Sequence, residues 1–252
     1  MLLAERIARF GNKIVSLLTA ILIILLLTYG LYSLWDIYRI NHNAFISDEL
    51  LKYKPGQENG LGFDALRELN PDVKAWITID NTHIDYPVLQ GKDDMEYVNK
   101  DPFGEFALSG SIFLSTKNAS DFSDIYNMTY GHHMENGAMF GDLTKMLDLN
   151  YLKEHTTGTL YVPDKTYSVK LYAALECSAY ETRIYNLACV MSDMEGFQTY
   201  VKANATSYID QGVKSTDKII TLSTCMSATT NGRVVVFGTL TETERRFNLI
   251  MF

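Results

Sequence analysis

The sequence predicts a mainly β domain with accessory helices, closed or nearly closed into a mixed barrel, behind an N-terminal transmembrane helix. Two observations predict it. Residues 14–35 carry no charged side chain, over about the 20-residue length that a bilayer core requires. From residue 75 onward the chain breaks into short alternating or apolar runs bounded by turn residues, the pattern of strands, with helical spacing in a few stretches between them.

Arg6, Arg9 and Lys13 precede the apolar run, and Asp36 and Arg39 nearly cancel behind it. That asymmetry keeps residues 1–13 cytoplasmic and puts everything from Asp36 onward outside. A cleaved signal peptide is the alternative, but it would have a shorter apolar region and a small-residue cleavage site. Here the run ends in Tyr32, Leu34 and Trp35, so residues 14–35 read as an uncleaved anchor.

Residues 36–70 read as a stalk with some helix, broken at Pro55-Gly56 and Asn59-Gly60, with a helical candidate at 63–69. The folded domain then spans 71–252. Strands are predicted at 75–79, at 84–89 after the Asn81-Thr82-His83 turn, and at 110–114 and 125–130, with a short helix at 94–99. Met139, Phe140, Leu143, Met146 and Leu147 recur at helical spacing, which predicts a helix over 138–149. Strands resume at 159–162 and 167–179. A helix follows over 192–209, with Phe197, Tyr200, Val201 and Ala205 on one side, and the last strands are 218–224 and 233–239.

A hydrophobic content of 47% with 5 prolines describes an ordered globular chain. The net charge of −8 argues against nucleic-acid binding, which usually shows a basic face. An external location changes how the three cysteines read, because an oxidising compartment pairs cysteines and an odd one needs explaining. Cys177 and Cys189 lie in apolar surroundings and read as buried small hydrophobes, with a disulfide between them as the alternative.

Cys225 is different. It ends the run Ile219-Ile220-Thr221-Leu222-Ser223-Thr224 and precedes a small, polar loop, Met226 to Gly232. Arg233 then opens the next strand. A reactive thiol needs partial exposure, a rigid element and a fixed positive charge nearby. The plain alternatives are a half-buried packing thiol and a charge that solvates a strand edge. An acid/base is supplied by Tyr130-Gly131-His132-His133-Met134. Adjacent strand residues point to opposite faces, so at most one histidine of the pair can face a site; a surface pair capping the strand is the alternative. No His/Cys cluster with zinc spacing accompanies them, and no metal or cofactor is expected. His42, His83 and His155 lie in polar surroundings without comparable signal, and Arg183, Arg245 and Arg246 are weaker candidates than Arg233.

Together these residues resemble a class B sortase. The resemblance is carried by the N-terminal anchor, Trp76-Ile77-x-Ile79, Asn81-Thr82-x-Ile84-Asp85-Tyr86-Pro87-Val88, Gly110-Ser111-Ile112-Phe113-Leu114, Tyr130-Gly131-His132-His133-Met134, Met139-Phe140-Gly141 and Thr221-Leu222-Ser223-Thr224-Cys225 with Arg233. It covers about residues 63–240. The helical stretch at 192–209 resembles the insertion of class B members and favours that class over the shorter housekeeping one. The resemblance implies Cys225 as nucleophile, His132, the histidine directly after glycine, as general acid/base, and Arg233 as oxyanion or substrate stabiliser. It implies that Ser223 helps shape the substrate groove and that Thr224 offers a backbone N–H to the oxyanion. Met226 stands where some relatives carry a polar or acidic residue.

The implied reaction is cleavage of an Asn-Pro-x-Thr-like sorting signal after Thr on a secreted protein, through a thioester, with transfer to a peptidoglycan precursor amine. An extracellular cysteine endopeptidase would use the same thiol and imidazole but give the acyl group to water. A membrane-tethered, non-enzymatic β module for adhesion is the remaining alternative.

Overall fold

The computed structural model describes residues 2–56, 60–225 and 231–243; the side chains at 2, 39–43 and 225 lie outside that description. The chain divides into two compact units, residues 1–42 and 43–252. The first consists of helix α1, Leu2–Asn43, which is long and apolar enough over Leu3–Tyr38 to cross a membrane.

In the second unit the described residues form nine strands, the eight predicted ones and an additional β7: β1 Val73–Ile79, β2 Asp85–Leu89, β3 Ile112–Leu114, β4 Tyr126–Tyr130, β5 Thr157–Tyr161, β6 Thr166–Ser178, β7 Ser207–Tyr208, β8 Lys218–Cys225 and β9 Gly232–Thr243. They are ordered β5-β1-β2-β3-β4-β8-β9-β6-β7, and β5 also pairs with β6. That second pairing closes eight strands into a mixed barrel, as the sequence predicts, and leaves β7 attached to β6 outside the ring. β2–β3 and β4–β8 are the parallel pairs.

Alternation along the strands sorts the apolar side chains into layers. Ala75, Ile77, Val88, Ile112, Ile220, Leu222, Val234 and Val236 fill the barrel. Ile219, Val235 and Phe237 point the other way, beneath α5 Thr182–Tyr185, α6 Leu187–Ser192 and α7 Met194–Asn204. On a further outer face, Trp76, Leu89 and Phe113 pack with Leu50 and Leu66 from α2 Asp48–Leu51 and α3 Phe63–Leu69. Ala44, Leu50 and Leu66, which the sequence places in the stalk, are thus buried within the second unit.

Three predicted helices differ. Residues 94–99 form turns, because acidic side chains satisfy the backbone locally: Met95 N donates to Asp93 Oδ1 at 2.9 Å, Lys92 N to Glu96 Oε2 at 2.9 Å, and Thr116 N to Asp94 Oδ1 at 2.7 Å. The predicted helix at 138–149 is a 3-10 helix, Gly141–Leu147, followed by α4, Leu149–Glu154. Asp148 separates them by accepting from the amides of Asn150 and Tyr151, which starts a new helix. The third expected helix ends at Asn204. Thr206 N then donates to Ala174 O at 2.9 Å and Ile209 N to Tyr172 O at 2.8 Å, so the backbone between them joins the sheet as β7.

Cys177 and Cys189 are free, and Cys189 is exposed on α6, where the sequence predicts burial. An apolar local context places a residue on a helix without saying which face it occupies.

Closure at the β1–β5 seam depends on Gly158, where an added Cβ would lie 2.2 Å from Thr78 O and 2.8 Å from Ile79 Cδ1. Gly158→Ala is expected to lower stability by about 1–3 kcal/mol, read as a lowered urea midpoint.

Candidate active site

Register across three neighbouring strands builds the site. β4 runs parallel to β8 with Tyr130 opposite Ser223, and β8 runs antiparallel to β9 with Cys225 opposite Arg233. Gly131 N donates to Ser223 O at 3.2 Å, so the parallel pairing continues one step past β4. His132 therefore follows at the level of Cys225. Backbone geometry alone brings positions 132, 225 and 233 to one end of adjacent strands. The loop 226–230, Met226, Arg245 and Arg246 lie outside the described residues, and of Cys225 the backbone is described.

Thr224 ties the strands together. Its hydroxyl, on a residue 2% exposed, donates to Gly131 O at 2.8 Å. Glycine is required at 131 because a Cβ there would lie 2.8 Å from Phe140 Cδ2. Phe140 in turn donates its amide to His132 O at 3.0 Å, and His133 bridges to Met139. The tight loop behind His132 thus packs Met139 and Phe140 into the barrel. Tyr86, on β2, accepts from Met139 N at 3.0 Å and donates to Ala44 O at 3.1 Å. Burial pushes the Tyr86 phenol up to about 12, so it remains a donor at neutral pH.

The two histidines of the pair diverge. His132 Nε2 lies 2.8 Å from Val98 O, whereas His133 Nδ1 is buried without a hydrogen-bond partner. Ser223 points to the outer layer: its hydroxyl, also on a residue 2% exposed, is 2.9 Å from the Tyr185 hydroxyl on α5. Tyr185 is 3.9 Å from Cys177 Sγ. Cys177 pairs in register with Arg233 on the side away from β8. Burial raises the Cys177 thiol to about 11, with the Tyr185 bond and Arg233 offsetting only part of the shift. Cys177 is thus a neutral thiol at physiological pH and a poor nucleophile.

Sequence reasoning missed Val98, Tyr185 and His83. Val98 acts through its carbonyl, which no side-chain pattern reveals. Tyr185 and Ser223 are 38 positions apart. His83 anchors the far end of the loop behind His132: its amide donates to Asp142 Oδ2 at 2.9 Å and its Nδ1 lies 2.8 Å from the same oxygen. Lys145 Nζ is 2.8 Å from Asp142 Oδ1, on a carboxylate only 1% exposed. Among the described residues there is no group of three or more His, Cys, Asp or Glu arranged to hold a metal.

Two measurements probe this scaffold. Thr224→Val removes the donor to a buried carbonyl and is expected to lower unfolding stability by about 1–3 kcal/mol, read by urea denaturation. The Asp142 carboxyl is held below the ordinary range: burial acts to raise it, but the His83 amide, Lys145 and the His83 ring together outweigh burial. Its stabilisation is therefore complete above the unfolded aspartate pKa of about 4 and lost as pH falls through the lower folded value. Asp142→Asn is expected to be less stable than the native chain at neutral pH and to converge with it in acid, as followed by urea midpoints across pH.

A family model described as the sortase domain matches residues 77–241. The chain is 34% identical over 245 residues to a sortase B of Listeria monocytogenes, covering 90% of this chain and 98% of the relative. A class B sortase of Streptococcus pyogenes involved in pilus biogenesis superposes with a TM-score of 0.67 at 33% identity, over 73% of this chain and all of the other. A sortase B complexed with triglycine gives a TM-score of 0.65 at 28% identity, over 72% of this chain and 86% of the other. With the same closed barrel, the chain belongs to the sortase family and, within it, to the class B cysteine transpeptidases that anchor proteins.

Proposed function

We propose that Cys225, His132 and Arg233 carry out the transpeptidation on an Asn-Pro-x-Thr-like sorting signal of a secreted protein. The observation that carries the assignment is the register: His132 follows β4 at the level of Cys225, and Arg233 pairs with Cys225 across β8–β9. The Cys225 thiolate attacks the threonine carbonyl, and the Arg233 guanidinium donates to the oxygen as it becomes negative. Collapse of the tetrahedral intermediate breaks the C–N bond, and protonated His132 gives its proton to the leaving amine. The thioester then meets an incoming amine, whose proton His132 takes back as the new amide forms and the thiolate leaves. A peptidoglycan precursor amine fits the second step, and a sortase B of this fold has been solved with triglycine.

Ser223 and Thr224 enter as supporting residues. Thr224 holds the His132 loop against β8 through Gly131 and is suited to offer its backbone N–H to the oxyanion. Ser223 acts on the groove through Tyr185. Residues 14–35 anchor the chain in the membrane with residues 1–13 cytoplasmic and the catalytic domain, 71–252, outside; the support is the length and apolar character of α1 and the basic residues before its core.

Cys225→Ala is expected to abolish both cleavage and transfer of an Asn-Pro-x-Thr peptide, and appreciable turnover would overturn the nucleophile. Arg233→Lys keeps the charge but loses the planar fork and should lower kcat by about 100-fold. Adding an amine to the peptide assay should convert hydrolysed product into ligated product; exclusive hydrolysis would identify an endopeptidase instead.

A further inference from the structure

The turn segment between β2 and β3 makes the contact to His132. A backbone carbonyl can only accept, so the 2.8 Å contact from His132 Nε2 to Val98 O requires that Nε2 carry hydrogen. With Nε2 so occupied, the proton that comes and goes must be on Nδ1. We infer that the Val98 carbonyl, for which the missing side chain of Gly110 leaves room, is a positioning group that fixes His132 as the Nε2–H tautomer and assigns proton transfer to Nδ1. This rests on His132 being the acid/base.

Gly110 is central because it packs directly on the carbonyl that His132 uses. Its φ is +58°, and a Cβ there would lie 2.2 Å from Val98 O and 2.8 Å from both Tyr97 O and Val98 C. No side chain fits without moving the acceptor. Neighbouring bonds hold the segment at that point. Ser111 N donates to Tyr97 O at 3.0 Å and Ser111 Oγ to Lys100 O at 2.7 Å. The buried Tyr97 hydroxyl donates to Asp72 Oδ2 at 2.8 Å, which fastens the segment to the residue before β1. His132 is therefore oriented from two directions: its backbone by β8 through Gly131 and Thr224, its ring by the β2–β3 segment.

The proton balance follows from this geometry. In the first half-reaction Nδ1–H of the imidazolium passes its proton to the departing amine, leaving neutral His132 with hydrogen on Nε2. In the second, Nδ1 accepts a proton from the incoming amine and the imidazolium is restored. Nε2–H keeps its bond to Val98 O throughout, so no ring rotation is needed between the two halves.

Long-range 1H–15N spectra of the full chain in detergent micelles, labelled at histidine, read the tautomer directly. Neutral His132 is expected as the Nε2–H tautomer. Gly110→Ala should introduce the Nδ1–H tautomer and lower kcat about tenfold, the effect of losing one hydrogen bond to an ionisable group, with KM changed by less than about twofold. Gly104→Ala is the control: it lies in the same segment with φ +88°, but no atom lies within 4 Å of its added Cβ. It should retain the tautomer and kcat. A native Nδ1–H tautomer, or equal loss of kcat in the two alanine variants, would overturn the inference. Retained transfer by His132→Ala would instead overturn the acid/base assignment on which it rests, so the two failures are separable.

Discussion

The parallel pairing of β4 with β8 is the constraint on which the site depends. Neither strand can reach the other through a short turn, since 87 residues lie between Tyr130 and the start of β8 at Lys218 and parallel neighbours need a crossover. The chain between them supplies the 3-10 helix that plugs the barrel, strands β5 and β6 that close it, and the helices that cover its outside. Once β4 lies against β8 in register, with Tyr130 opposite Ser223, the residues following each strand are bound to meet. A slip of one residue would reverse the facing of every side chain on β8 and separate the three positions.

Burial on both sides makes that register stiff. Ile220 and Leu222 face the barrel interior, while Ile219 faces the layer beneath the helices. Val234 and Val236 alternate with Val235 and Phe237 in the same manner on β9. Runs this apolar are typical of strands covered on both faces, and here they end at Cys225 and begin at Arg233. The residues of the proposed chemistry thus extend from strands packed on both faces, as a well-oriented constellation requires.

Much of this was legible in advance because it depends on local pattern. Strand periodicity located β1 to β6, β8 and β9, and the Gly131-His132 and Thr224-Cys225 pairs drew attention to the ends of β4 and β8. What stayed hidden depends on distant partners or on the backbone. The 3-10 helix Gly141–Leu147 begins where Gly141 closely approaches Met134 O, at which a Cβ would sit at 2.1 Å. Hydrophobic spacing cannot report such an approach. β7 exists because the edge of β6 captures Thr206 and Ile209, not because Ser207 and Tyr208 favour a strand. His83 looked like an ordinary turn residue until the fold brought Asp142 to it.

Ring closure also bears on how an extended peptide can be recognised. A peptide commonly binds a sheet by adding itself as one more strand, drawing affinity from unpaired backbone groups along an edge. Here, among the described residues, eight strands pair around the ring, and outside it β7 covers β6 only at Ala173 and Ala174, which leaves a short outer edge from Leu175 to Ser178. So short an edge gives an extended peptide little to add to, and the loops and side chains at the ends of the strands become the larger surface for holding one. Selectivity among peptides is thereby separated from the hydrogen bonds that hold the barrel together, and the loops can diverge to read different sequences while the ring is left unchanged.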